Sequence, residues 1–121
     1  MIGKTSALYH CPVEFTLDVL GGKWKTVILC HLKHEPARYS ELRALIPSLS
    51  DKVLTERLKE LASAGLITRG KGASRTGGEM YRLTPRGETL RVALGELYKW
   101  GRTHADAYGV ELREVRKARS A

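Results

Sequence analysis

The chain has 121 residues, a formal net charge of +8, a pI of about 9.8 and 42% hydrophobic residues. That length corresponds to one domain with a modest core, and the charge points to nucleic acid first and an anionic membrane second. No apolar run approaches the roughly 20 residues of a membrane span, and the start MIGKTSALYHCPVEF lacks the apolar centre of a signal peptide. Two cysteines are too few for a disulfide scaffold, so a cytoplasmic setting with free thiols is expected.

Residues 1–10 read as a loose arm. Pro12 suits a first helical position, and a helix to about Leu20 makes Val13, Phe15, Thr16, Leu17 and Leu20 available for packing. Gly21-Gly22 ends it. The next helix, from about Lys23 to Leu32, carries Trp24, Val27, Ile28 and Leu32 on one face and breaks at Glu35-Pro36. Arg38-Tyr39 reads as a very short strand.

The stretch SELRALIPSLSDKVLTERLKELASAGL, residues 40–66, reads as two helices joined by a tight turn. Ser40 and Ser50 stand at N-cap positions, each followed by an acid, Glu41 and Asp51, which the helix dipole favours. Pro47 ends the first helix near Ile46, and Gly65 follows the second, which spans about Asp51–Ala64. On a helical wheel Leu54, Leu58 and Leu61 form one stripe, while Lys52, Thr55, Glu56 and Lys59 fall opposite. A helix that packs by leucines and shows that polar set is suited to reading base edges in a major groove. An ordinary amphipathic surface helix is the plain alternative.

After Gly65 the period changes. Leu66–Arg69 and Glu79–Leu83 are strand candidates around a glycine-rich loop, residues 70–78. A hairpin after a helix-turn-helix is the wing of a winged helix. Its cations Arg69, Lys71, Arg75 and Arg82 could neutralise phosphates or enter the minor groove. The glycine spacing matches neither GxxxxGK[ST] nor GxGxxG, which argues against a nucleotide cradle. Thr84-Pro85 then starts a long helix to about His104, with Leu90, Ala93, Leu94, Leu97 and Trp100 at helical spacing. That is more apolar surface than one small wing covers, which argues for a second copy of the chain. Gly109 closes the ordered part and residues 110–121 read as a flexible basic tail.

Together, CPVEFTLDVLGGKWKTVILCHL, RYSELRALIPSLSDKVLTERLKELASAGLITR, YRLTPRGETL and a late Trp-Gly carry a resemblance. In order and in residues the chain resembles the HxlR family of bacterial winged-helix transcription regulators, within the broader MarR-like group, over roughly residues 10–104. The resemblance implies a mainly helical α+β fold: a winged helix-turn-helix with extra N- and C-terminal dimerisation helices, occupying residues 11–109. It implies a homodimer in which Val13, Leu17, Leu90, Leu94, Leu97 and Trp100 meet the partner. The family's recognition helix maps onto residues 51–64 and its wing onto residues 68–83. The wing here lacks the prolines many members carry before the last strand, and the basic tail has no counterpart in the family pattern.

In several members the cysteine before the N-terminal proline senses oxidants or electrophiles, and Cys11 holds that place. A thiolate at a helix N-terminus is stabilised by the helix dipole and free N–H groups, whereas a structural Cys packs as a small hydrophobe. Cys30, inside the second helix, reads as an incidental thiol. The four histidines, His10, His31, His34 and His104, are scattered. No triad spacing supports an enzyme, no cofactor is implied, and a metal site at Cys30, His31 and His34 lacks a fourth ligand.

The expected function is sequence-specific binding of double-stranded DNA by a homodimeric regulator, with repression where the site overlaps a promoter. Two recognition helices in successive major grooves would lie about 34 Å apart on a near-palindromic operator. Lys52 and Lys59 would donate to guanine or phosphate, Thr55 would serve either, and Glu56 would accept from cytosine N4. Ser40, Arg43, Ser50, Arg69, Lys71 and Arg75 would hold the backbone. The effector would be an oxidant or a small molecule. A winged-helix interaction module, or a ligand-controlled regulator without a thiol switch, stays open as the alternative.

Overall fold

The structure is a computed structural model that describes residues 8–71 and 78–112. Its helices are α1 (Pro12–Leu20), α2 (Lys25–His34), α3 (Tyr39–Leu45) and α4 (Asp51–Ser63), then α5 (Pro85–Glu88) and α6 (Arg91–His104), closed by a 3-10 turn, Ala105–Tyr108. Between α4 and α5 the antiparallel strands β1 (Ile67–Lys71) and β2 (Glu79–Leu83) form the hairpin. The result is a mainly helical α+β winged helix-turn-helix.

The core assembles from the apolar stripes. Ile28, Leu29 and Leu32 of α2, Leu42 of α3, Leu54, Leu58 and Leu61 of α4 and Leu94 of α6 are buried together with Leu66, Ile67 and Leu83 of the hairpin. α1 buries only Leu20. Ile67 pairs with Leu83 at the buried end of the hairpin, and Lys71 pairs with Glu79 at its open end. Ala37 adds a bridge on the other side of β2: its N–H donates to the Tyr81 carbonyl (3.0 Å) and its carbonyl accepts from the Tyr81 N–H (2.8 Å).

Several boundaries differ from the sequence expectation, each for a local reason. α2 begins at Lys25 rather than Lys23, because Gly22 (φ 86°) and Trp24 (φ 91°) adopt left-handed backbone in the preceding turn. For Trp24, with its Cβ, that conformation costs of order 1–3 kcal/mol. α3 begins at Tyr39, so Arg38-Tyr39 is not a strand and Ser40 is not the N-cap. The cap is Arg38, whose N–H donates to Glu41 Oε1 at 2.8 Å.

The long C-terminal helix is broken at Thr89-Leu90. Its first turn, α5, is docked on the corner between α4 and β1. The Thr84 N–H donates to the Leu66 carbonyl (3.0 Å), the Thr84 hydroxyl to the Gly65 carbonyl (2.6 Å), and the Gly87 N–H to Thr84 Oγ1 (3.0 Å). The chain then turns, and α6 carries Leu94 into the core. Gly65, left-handed at φ 78°, ends α4 as expected for a residue past a helix C-terminus.

Candidate nucleic-acid interface

α4 starts where its cap is made: Ser50 Oγ accepts from the Val53 N–H at 3.1 Å, and Asp51 stands in the first turn. With Leu54, Leu58 and Leu61 buried, Lys52, Thr55, Glu56 and Lys59 are exposed together. Among the described residues no hydrogen bond or ion pair engages Lys52, Glu56 or Lys59. The polar set that the sequence places on one side of this helix is therefore presented to solvent.

The flank of the helix facing α2 is different. Arg57 Nη1 donates to both Glu60 carboxylate oxygens (2.8 and 2.9 Å), and Lys25 Nζ lies 3.6 Å from Glu60 Oε1. These charges tie α4 to α2. Arg57 Nε is buried without a partner among the described residues.

α3 supplies two further links. Tyr39 Oη donates to Asp51 Oδ1 (2.8 Å) and lies 3.4 Å from Thr55 Oγ1. Arg43 Nε donates to the same Asp51 oxygen at 2.8 Å, and its Nη1 donates to the Leu49 carbonyl. The Tyr39 hydroxyl first, and then the Arg43 charge, hold the Asp51 carboxyl below its usual range. Arg43, expected as a backbone contact, is thus engaged within the protein. Ser40 is exposed on the second residue of α3. Tyr39 and Asp51 are not among the site residues expected from the sequence. The i, i+4 spacing of Tyr39 and Arg43, which puts both on one helix face, is the signal that points to them.

On the hairpin, Arg69 Nε makes a 2.7 Å ion pair with Glu79 Oε1, and its guanidinium stands 6.0 Å from the Tyr81 ring centre. The Tyr81 hydroxyl first, then the Glu79 charge, raise the Arg69 pKa further above its ordinary value. Lys71 is exposed at the end of β1, and its carbonyl accepts from Arg82 Nη2 at 3.5 Å. Arg75 lies outside the described residues.

Of the residues expected at a partner interface, Val13 (62%), Leu17 (56%), Leu97 (53%) and Trp100 (57%) are exposed. Leu94 is not: at 2% exposure it belongs to the protomer's own core, with Leu90 half-buried against it. α6 is seated against α2, where Arg91 Nη1 donates to the Lys33 carbonyl at 2.8 Å, and Leu94, three residues on, lies on the same side of the helix. Phe15, Val92, Tyr98 and Tyr108 are exposed apolar residues that the sequence reading did not assign to this surface.

Cys11 is the exposed N-cap of α1, in extended backbone. Tyr9 and His10, expected in a loose arm, fold back on that helix. The Tyr9 hydroxyl donates to Asp18 Oδ2 (2.6 Å), and the His10 N–H donates to Glu14 Oε1 (2.7 Å). Cys30 is half-buried, and burial pushes its thiol pKa up, with Lys33 opposing. Among the described residues no three His, Cys, Asp or Glu side chains gather as a metal site, and no helix is long and apolar enough to cross a membrane.

A helix with an exposed polar face, seated on a supporting helix and followed by a hairpin that carries Arg69, Lys71 and Arg82, defines a winged-helix transcription regulator with a helix-turn-helix DNA-binding fold. The chain belongs to the HxlR family: the model of the HxlR-like helix-turn-helix matches residues 19–108. Among its relatives is the HTH-type transcriptional regulator YtcD of Bacillus subtilis (strain 168), 43% identical over 102 residues that cover 84% of this chain and 81% of YtcD. Among solved structures, the redox regulator HypR in its reduced form superposes with a TM-score of 0.75 at 35% identity, covering 82% of this chain and 98% of HypR. The reduced form of the transcriptional regulator YodB of B. subtilis superposes with a TM-score of 0.66 at 32% identity, covering 77% and 92%.

Proposed function

We propose that this regulator binds a specific, near-palindromic double-stranded DNA site as a cytoplasmic homodimer, and that it represses where that site overlaps a promoter. The observation that carries the proposal is the exposed Lys52, Thr55, Glu56 and Lys59 face of α4, free of intramolecular ion pairs among the described residues. Ser40, Ser50 and Lys71 are assigned as backbone contacts, with Arg75, which lies outside the described residues, as a further one. The dimer forms through the exposed apolar residues of α1 and α6, whose area a monomer would leave wet.

Oxidation or electrophile modification of Cys11 is the proposed signal. Cys11 is exposed at the start of α1, and α1 holds to its own protomer only at its C-terminal end, through buried Leu20 and half-buried Val19. A change there shifts α1 against the partner and alters the spacing of the two reading helices. The redox regulator HypR among the structural neighbours supports this reading.

The test is anisotropy of labelled DNA from upstream of the protein's own gene, with and without a mild thiol oxidant, for wild type and Cys11→Ser. A switch is supported by oxidant-dependent binding that the variant lacks. Equal binding by both in all conditions retains the DNA reading and moves the signal to a small-molecule ligand. Binding no tighter than to random DNA favours an interaction module.

A further inference from the structure

Arg43 is the cation of α3 nearest the start of the reading helix, which makes it the natural candidate for a phosphate contact. Its geometry argues otherwise. The side chain is 32% exposed, its Nε is on Asp51 Oδ1, and its Nη1 is on the Leu49 carbonyl. One helical turn earlier, Tyr39 Oη donates to the same Asp51 oxygen and lies 3.3 Å from the Asp51 carbonyl and 3.4 Å from Thr55 Oγ1. Two side chains of α3 therefore grip the last turn residue and the first turn of α4 at several points.

Packing seats this junction without fixing its register. Leu42 is the one fully buried residue of the seven in α3, with Tyr39 and Leu45 half-buried against the core and Ile46 and Leu49 of the turn buried. Apolar contact is non-directional, whereas directed hydrogen bonds fix both angle and register. Charge adds a second reason. Asp51 is 73% exposed at the first position of the reading helix. If Arg43 left it for a phosphate, the charge-assisted pair with Asp51 and the bond to the Leu49 carbonyl would both be given up.

We propose that Tyr39, Arg43 and Asp51 form a positioning cluster that sets the orientation of α4 for base reading, with Arg43 acting through Asp51 and not as a phosphate contact. The inference rests on α4 being the DNA-reading helix. It assigns roles to Tyr39 and Asp51, and it removes Arg43 from the backbone contacts expected from the sequence.

The experiment uses the full chain and the best duplex selected by wild-type protein from a random-sequence pool. Anisotropy is followed from 50 to 300 mM salt for wild type, Tyr39→Phe, Asp51→Asn, Arg43→Ala, Arg43→Lys and the Arg43→Ala/Asp51→Asn double variant. Circular dichroism confirms that each is folded. Each single variant is expected to weaken binding to the selected duplex about 5- to 30-fold, the size of one lost charge-assisted link, and to leave random-duplex affinity unchanged. A merely structural role would leave the selected-to-random ratio of the folded variants intact.

Arg43→Lys separates the two roles even where Arg43→Ala folds poorly, because lysine keeps the charge and loses the fork. Positioning predicts that Arg43→Lys fails like alanine, that the salt slope stays at the wild-type value, and that the double variant is no worse than the worse single. The cluster is overturned if lysine restores binding, if Arg43→Ala lowers the slope by about one, or if the single effects multiply. If wild type selects no duplex over random DNA, the DNA-reading assignment of α4 itself fails, and the cluster loses its role with it. That result differs from selective binding with a lowered slope, which overturns the cluster alone.

Discussion

Gly87→Ala is expected to be among the most damaging single-methyl changes in this chain. A Cβ built on Gly87 would sit 2.1 Å from the Leu66 carbonyl oxygen, 3.1 Å from its carbon and 3.3 Å from Leu83 Cβ. Ordinary contact would need a shift of about 1 Å between α5 and the α4–β1 corner, and neither side yields easily. The Leu66 oxygen already accepts from the Thr84 N–H at 3.0 Å, and Thr84 also binds the Gly65 carbonyl and the Gly87 N–H. Overpacking of a tight site costs about 1–3 kcal/mol, and each hydrogen bond strained away adds about 1 kcal/mol. The helical gain of alanine over glycine offsets about 0.5–1 kcal/mol. The net loss is about 2–4 kcal/mol, or a Tm lower by roughly 8–16 °C for a domain of this size. Thermal and urea unfolding by circular dichroism measure it. Gly70→Ala is the control, because a Cβ there meets nothing within 4 Å. A Gly87→Ala protein within about 0.5 kcal/mol of that control would refute the reasoning, since surface changes without a named mechanism stay within that range.

Three other outcomes are expected. Ser50→Ala removes the acceptor for the Val53 N–H and lowers stability by about 1 kcal/mol, measured by urea unfolding; a loss under about 0.3 kcal/mol would deny the cap. With iodoacetamide, exposed Cys11 reacts first at neutral pH. Because burial raises the Cys30 pKa, the Cys30 thiolate becomes available only as pH rises well into the alkaline range, and mass spectrometry of Cys11→Ser should show labelling that climbs with pH. Equal rates for both thiols at pH 7.5 would contradict the described burial. Leu97→Glu places a charge on the exposed apolar face of α6, and sedimentation should show dimer converting to monomer by at least tenfold in Kd. An unchanged sedimentation coefficient across that range would move the partner contact away from α6.

Much of the fold was legible because its elements carry strong local signals. Leu54, Leu58 and Leu61 repeat at helical spacing between Ser50 and Gly65, and the structure places the helix over Asp51–Ser63. Glu79–Leu83 alternates polar and apolar and is β2 as read. The errors fall where long-range contacts override local ones. Ser40 looks like an N-cap in isolation, yet Ala37 pairs with Tyr81 of β2 and pulls the start of α3 back to Tyr39. The C-terminal helix is periodic throughout, yet Gly87 must lie on the Leu66 carbonyl, and the helix breaks two residues later. Leu94 matches the spacing of Leu97 and Trp100, but periodicity alone does not say which part of a wide apolar face the protomer itself covers.

The candidate site divides the same way, and the division bears on how this protein would grip DNA. Wheel position finds the exposed residues of α4, because exposure follows from which face the leucines bury. It does not find which cations are free. Arg43, Arg57 and Arg69 each have an acid within 2.8 Å, at Asp51, Glu60 and Glu79 respectively. A paired arginine adds little net charge toward a phosphate, and pulling it away costs its carboxylate partner. Lys52 and Lys59 have no such partner among the described residues. A count of basic residues therefore overstates the electrostatic footprint on the side chains that scaffold the reading helix and the hairpin. The salt slope of DNA binding should be smaller than the count of 21 basic residues suggests, and set by unpaired cations such as Lys52 and Lys59 rather than by the arginines that hold the fold together.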